Sequence, residues 1–326
     1  MTGHVDVVDL QHLYGLTVAS TFPLDQGRPA AGESAPDVLI VQGEAVQSSD
    51  ETPKGELLLD FGERPDRWYS VVRRSGGTYL LRVYSLCDIV ISADLGRATV
   101  HMVHGVDPGM RSVMATGTLL SLQLYLRGGL VLHASAVQTA DAAIGFMGHS
   151  GMGKTTLATL LCADGARLIT DDVLPVVLGG EPRVHLGATG LRLRPGAKGL
   201  VERFEARDVC HRISADSRHV LTVQPAGSDE LALTALIVPK PNRAGRLEME
   251  RLSGKAALFA ILSFPRLMGW LDRDMQSRLF RQASTLAAKV PVIVAHVPWG
   301  PPFRDDVAAQ IRESVSRHRR PLAAAV

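Results

Sequence analysis

The chain has 326 residues, 46% hydrophobic and 21% charged, a composition ordinary for a globular protein. Thirty-five Lys and Arg against thirty-three Asp and Glu leave a formal charge of +2, which gives no electrostatic basis for a nucleic-acid groove. Three scattered cysteines, Cys87, Cys162 and Cys210, form no CxxC pair, which argues against a disulfide framework or zinc site and fits a reducing compartment.

At the N-terminus Asp6 and Asp9 stand where a signal peptide would carry lysines, and no apolar stretch follows. No run approaches the ~18 apolar residues of a membrane span. The expectation is a soluble, cytoplasmic protein with no membrane or nucleic-acid partner. Residues 24–56 are rich in Pro, Gly, Ser and Asp and read as a long flexible segment holding one strand at Val38–Val41. From Leu57, short β-branched and aromatic runs broken by SGG and ADLG predict a meander of strands. Met110–Gly129 reads as a helix that stops on a glycine pair.

After Gly129 strands and helices alternate. LVLHASAVQ (Leu130–Gln138), AIGFMG and ARLIT read as strands, Gly153–Ala163 as a helix, and LTALIVP and VPVIVAHVP as strands buried on both faces. Lys255–Val290 supplies helices. The expected division is a β-rich domain over 1–128, suited to recognising an acceptor, and an α/β domain over 129–326. The basic tail Arg317–Pro321 has the charge to touch phosphate, although a frayed, solvated end is the better explanation of it.

Gly148-His149-Ser150-Gly151-Met152-Gly153-Lys154-Thr155 is a complete G-x-x-x-x-G-K-[ST], placed after a strand and before a helix. Glycines let main-chain N–H groups converge on phosphate oxygens, and the helix adds its positive dipole end. Lys154 would bring a point charge to the β- and γ-phosphates, Thr155 a hydroxyl to Mg²⁺, and Thr156 continues the helix.

Asp171-Asp172 follows seventeen residues after Lys154, at the end of ARLIT, where one helix and one strand return the chain to the loop. Adjacent acids allow one to hold Mg²⁺ while the other takes a proton from an attacking hydroxyl. His133 lies within LVLHASAV, where a histidine is ordinarily a hydrogen-bonded core residue. Arg192 and Arg194 alternate in LRLRP, so both face one side, as a guanidinium fork for phosphate or carboxylate or as an exposed strand edge. Arg203, Arg207, Arg212 and Arg218 lie in a polar segment with the reach to cover the site.

Together His133, GHSGMGKT and Asp171-Asp172 in ARLITDDV resemble the catalytic domain of the HPr kinase/phosphorylase family, over roughly Leu130–Val177. The resemblance implies an α/β P-loop kinase domain of the HPr kinase/phosphoenolpyruvate carboxykinase type, preceded here by a smaller β-rich (α+β) domain. It implies ATP and Mg²⁺ as cofactors and transfer to a serine. Asp171 would then be the catalytic base, Asp172 and Thr155 the metal ligands, and His133 an orienting group. The acid-containing segment leading into GLGI in that family is replaced by LGATGLRLRPGAKGL. LHASAV and the later GLRL-arginine stretch look closer to HPr-kinase-like enzymes of peptide natural-product pathways, including lasso-peptide kinases, which phosphorylate a serine of a precursor peptide. GHSGMGKTTL also resembles the loop of phosphoenolpyruvate carboxykinases, leaving a small-molecule (amino acid or hydroxy acid) kinase open, alongside a nucleotide-binding scaffold without transfer. Edge strands of the first domain could pair copies into a homo-oligomer.

Overall fold

The computed structural model describes residues 6–30, 35–63, 65–140, 142–204, 210–242, 245–300 and 302–318. It is a mixed α/β protein with several sheets, and it divides into two units: Met1–Gly128 with Leu267–Arg278, and Gly129–Arg266 with Leu279–Val326. No helix among the described residues is long and apolar enough to cross a membrane.

In the first unit β1 (Asp9–Leu13), β2 (Leu16–Ser20), β3 (Val38–Gln42), β4 (Glu56–Phe61), β5 (Tyr69–Arg73), β6 (Tyr79–Val83), β7 (Cys87–Ile91) and β8 (Arg97–Met102) form one sheet in the order β1-β2-β3-β8-β7-β6-β5-β4. The expected meander is β4 to β8, antiparallel throughout. β3, the lone strand of the polar segment, runs parallel to both β2 and β8. Period-two burial sets the register: in β7, Cys87, Ile89 and Ile91 are buried while Asp88 and Val90 face outward. The helical run after β8 comprises α1 (Met110–Val113), a π-helical stretch (Met114–Leu119) and α2 (Leu120–Leu126), and ends at Arg127-Gly128.

In the second unit β9 (Leu130–Leu132), β10 (Ala134–Thr139) and β11 (Ala142–Met147) lead into the glycine loop and α3 (Lys154–Ala163). Then come β12 (Arg167–Thr170), β13 (Leu174–Val177), β14 (Arg183–His185) and β15 (Gly190–Leu193). A 3₁₀ stretch (Pro195–Phe204), β16 (Cys210–Ile213), β17 (His219–Thr222), β18 (Glu230–Asn242) and β19 (Glu248–Arg251) follow. The chain closes with α4 (Gly254–Ser263), α5 (Arg273–Lys289, counted with the first unit as far as Arg278), β20 (Val292–Pro298) and α6 (Val307–His318).

The central strands run β12-β10-β11-β18-β20. β11, β18 and β20 are mutually parallel, and β10 and β12 extend the sheet antiparallel. All six residues of β11 are buried, as a strand covered on both faces requires. α3 seals one face through Leu157, Ala158, Leu160 and Leu161, which pack with Phe146, Ile237 and Ile293. β15, β17 and β16 form a separate three-stranded sheet.

The structure changes one sequence expectation here. LVLHASAVQ is not one strand: it breaks at His133, so that β9 pairs with β13 while β10 pairs with β11 and β12. The His133 N–H donates to Phe264 O (2.9 Å) and Leu132 bridges Pro265, so the α4–α5 loop occupies the break. His133 therefore leaves the strand ladder, and its side chain is not one of a core row.

Candidate functional site

β11 delivers the chain to the loop at Gly148, whose N–H donates to His133 O (3.3 Å). Gly151 (φ +90°) and Gly153 (φ +93°) take left-handed backbone, which a residue with a Cβ adopts only under strain. At Gly153 there is a second reason for glycine, since a Cβ would stand 2.1 Å from Trp299 Cη2. The loop is braced by Met152 N–H on His149 O (3.2 Å) and by His149 N–H on the Met152 thioether (3.1 Å). No side chain caps α3, so its first N–H groups are left for an outside acceptor.

Lys154, first residue of α3, is buried, and its Nζ donates to His149 O at 3.1 Å. Burial pushes its pKa down to about 8, against the opposing pull of Asp172 and Asp171. Thr155, one residue on, turns its Oγ1 to Asp171. Thr156 continues the helix and lines the same cavity.

The two acids differ sharply in their partners. Asp171 is 4% exposed, and its carboxylate accepts from three elements. Ser135 Oγ of β10 (2.5 Å) and Thr155 Oγ1 of α3 (2.8 Å) reach Oδ1, and the Arg192 N–H of β15 (3.0 Å) reaches Oδ2. Asp172 has φ +75°, a setting aspartate tolerates better than most residues, and its side chain is 39% exposed. His133 Nε2 lies 3.0 Å from its Oδ1 and an Arg266 nitrogen 2.8 Å from its Oδ2. Desolvation opposes its charge, yet Arg266, then His133 and Lys154, outweigh it and hold the carboxyl well below the usual carboxylate range. Burial moves His133 the other way, lowering its pKa against the pull of Asp172. Burial thus favours the neutral ring, and with a carboxylate as acceptor its Nε2 carries a proton.

Arg192 and Arg194 do not act as one fork. The Arg194 guanidinium donates to Ser150 Oγ (2.7 Å) and so lies across the glycine loop. Arg192 turns to Asp216 (2.5 Å), which Arg218 also reaches at 3.2 Å. Arg203 pairs with Asp305 (2.9 Å), Arg212 is exposed on β16, and Arg207 lies outside the described residues.

A cavity of about 380 Å³ opens among these groups. Lys154, Thr155, Asp171, Asp172, His133 and Arg194 line it, so the structure brings these sequence-derived candidates onto one wall system. Among the described residues no group of three His, Cys, Asp or Glu forms a closed metal cage. The oxygen donors Thr155 Oγ1, Asp171 and Asp172 instead suit a hard cation that draws its remaining ligands from water and phosphate.

Sequence reasoning missed Ser135, Arg266, Asp216 and Trp299. Ser135 had no sequence signal of its own, because the strand breaks at His133 and the Ser135 hydroxyl reaches Asp171 only through the pairing of β10 with β12. Arg266 and Trp299 had none, because each sits in a loop far along the chain that topology alone brings to the cavity.

No family model and no curated protein matches the sequence. Among solved structures the chain is similar to the Hpr(Ser) kinase/phosphatase from Coxiella burnetii, at 12% identity over 58% of this chain and 95% of that one, with a TM-score of 0.29.

Proposed function

We propose that this protein is a Mg²⁺-dependent phosphotransferase that moves the γ-phosphoryl group of ATP to a serine hydroxyl of a small protein or precursor peptide. The reading rests on one observation: a glycine cradle and its buried lysine share a cavity with two carboxylates in unlike environments. A pure nucleotide binder has no use for the second carboxylate.

Main-chain N–H groups of 148–156, with Lys154 and Arg194, would hold and neutralise the triphosphate. Thr155 and Asp171 would hold Mg²⁺, which would supply charge neutralisation to the phosphates. The roles expected of the two acids are thereby exchanged. Asp171 is held by three donors, two on Oδ1 and one on Oδ2, beside the Thr155 hydroxyl, whereas Asp172 is the more exposed carboxylate. Asp172 would accept the proton of the serine hydroxyl as its oxygen bonds to the γ-phosphorus and the bond to the β-phosphate oxygen breaks, releasing ADP. A carboxylate held at low pKa takes that proton late, which suits a loose transition state with little charge on the nucleophile. His133 and Arg266 orient Asp172 and keep it ionised. Positioning and charge neutralisation carry most of the acceleration.

The test is incubation with γ-labelled ATP, Mg²⁺ and two acceptor panels, serine-containing peptides and small hydroxy or amino acids. Label on serine peptides that disappears in Lys154→Ala is expected. Label on the small acids alone moves the assignment to a metabolite kinase. ATP binding with no labelled product on either panel, or unimpaired transfer by Lys154→Ala, overturns the kinase reading.

A further inference from the structure

The cavity has an aromatic and aliphatic part as well as a polar one. Besides Lys154, Asp171 and Asp172, its lining includes Trp299, Phe303, Leu193 and Ala197. The Trp299 indole lies so close over Gly153 that no side chain fits between them. Its ring meets Phe303 edge-on, with centroids 5.6 Å apart and planes at 86°. Both rings are only partly buried, and both back onto the core cluster containing Leu193 and Ala197. The main chain fixes the position, because Trp299 N–H donates to Asn242 O (2.9 Å) where β20 leaves β18. A partly exposed aromatic pair beside the glycine loop offers the flat base of a nucleotide a place to stack while its phosphates lie on the loop N–H groups.

We infer that Trp299, backed by Phe303, is the platform on which the base of a nucleoside triphosphate stacks. This rests on the nucleotide-binding part of the proposal above and adds what distinguishes a nucleotide from a bare polyphosphate. The glycine cradle and Lys154 read only phosphate, so without Trp299 the site would not discriminate ATP from inorganic tripolyphosphate by more than the ribose contributes.

Calorimetric titration of the full chain with Mg-ATP and, separately, with Mg-tripolyphosphate tests the inference. The intact protein is expected to prefer ATP by about tenfold or more, the scale of one base–aromatic stack. In Trp299→Ala the ATP dissociation constant should rise about tenfold while the tripolyphosphate constant stays within twofold; Trp299→Phe should keep most of the preference. Retained tripolyphosphate binding also reports that the loop under residue 299 remains folded. Equal affinity of the intact protein for both ligands, or a parallel loss of both in Trp299→Ala that Trp299→Phe does not restore, overturns the platform and leaves the phosphate cradle standing. Absence of binding by either ligand to the intact protein overturns the nucleotide reading itself.

Discussion

Asp171 and Asp172 are neighbours in sequence, and the difference between their surroundings is the most informative contrast in the molecule. Around Asp171 the chain has spent three donors from β10, α3 and β15 on one buried carboxylate. Around Asp172 it has placed a histidine and an arginine, and left part of the side chain to the cavity. The first arrangement is built to stay put. The second is built to be charged and reachable. A single left-handed residue, Asp172 at φ +75°, separates the two partner sets.

The strongest perturbation falls on what both acids serve. Lys154→Ala should lower phosphoryl transfer by about 1000-fold, since it removes the buried charge facing the phosphates. Next, Asp172→Asn should cut kcat by roughly 100-fold while ATP affinity changes by only a few fold, because it removes proton acceptance and spares the cradle. Asp171→Asn should behave differently. An amide in that pocket points N–H groups at donors, and one or more orphaned polar groups cost about 1–3 kcal/mol each, so a lowered Tm accompanies weakened Mg²⁺ dependence. Equal Tm losses in the two variants would erase the contrast.

pH separates the groups further. The Lys154 pKa of about 8 in the free protein would rise beside a bound triphosphate, which makes the protonated form the expected binder. ATP affinity should be level below that value and fall as pH climbs through and above it, with proton uptake visible by calorimetry in buffers of different ionisation heat. Arg266→Met removes the leading cationic support of Asp172 and should move the acidic limb of the kcat profile to higher pH, an effect a merely structural arginine would not produce. The smallest effect belongs to Ser135→Ala, which deletes one of three donors to Asp171 and should cost about 1 kcal/mol of stability by denaturant titration, with little change in kcat.

The sequence made the cradle readable because its determinants lie within eight consecutive residues, where glycine placement and the following helix start are local matters. The acid pair was readable for a similar reason: one helix and one strand must bring residues 171–172 back beside the loop. His133 was harder. Its run alternates like a single strand, and only the pairing of β9 with β13 and β10 with β11 reveals the break that aims the ring at Asp172. Arg266 and Trp299 are fixed by long-range topology, the first by Pro265 bridging Leu132 and the second by the parallel pairing of β20 with β18. No periodicity within their own segments encodes either position. The arginines illustrate the limit of alternation, which put Arg192 and Arg194 on one side but not on one partner.

The carboxylate at 171 also acts as a clasp. It fastens the start of α3, a central strand and the small β15–β17–β16 sheet to a single point. Undoing that knot should register as faster amide exchange in three separate stretches of chain at once, the signature of a shared anchor rather than of a local contact.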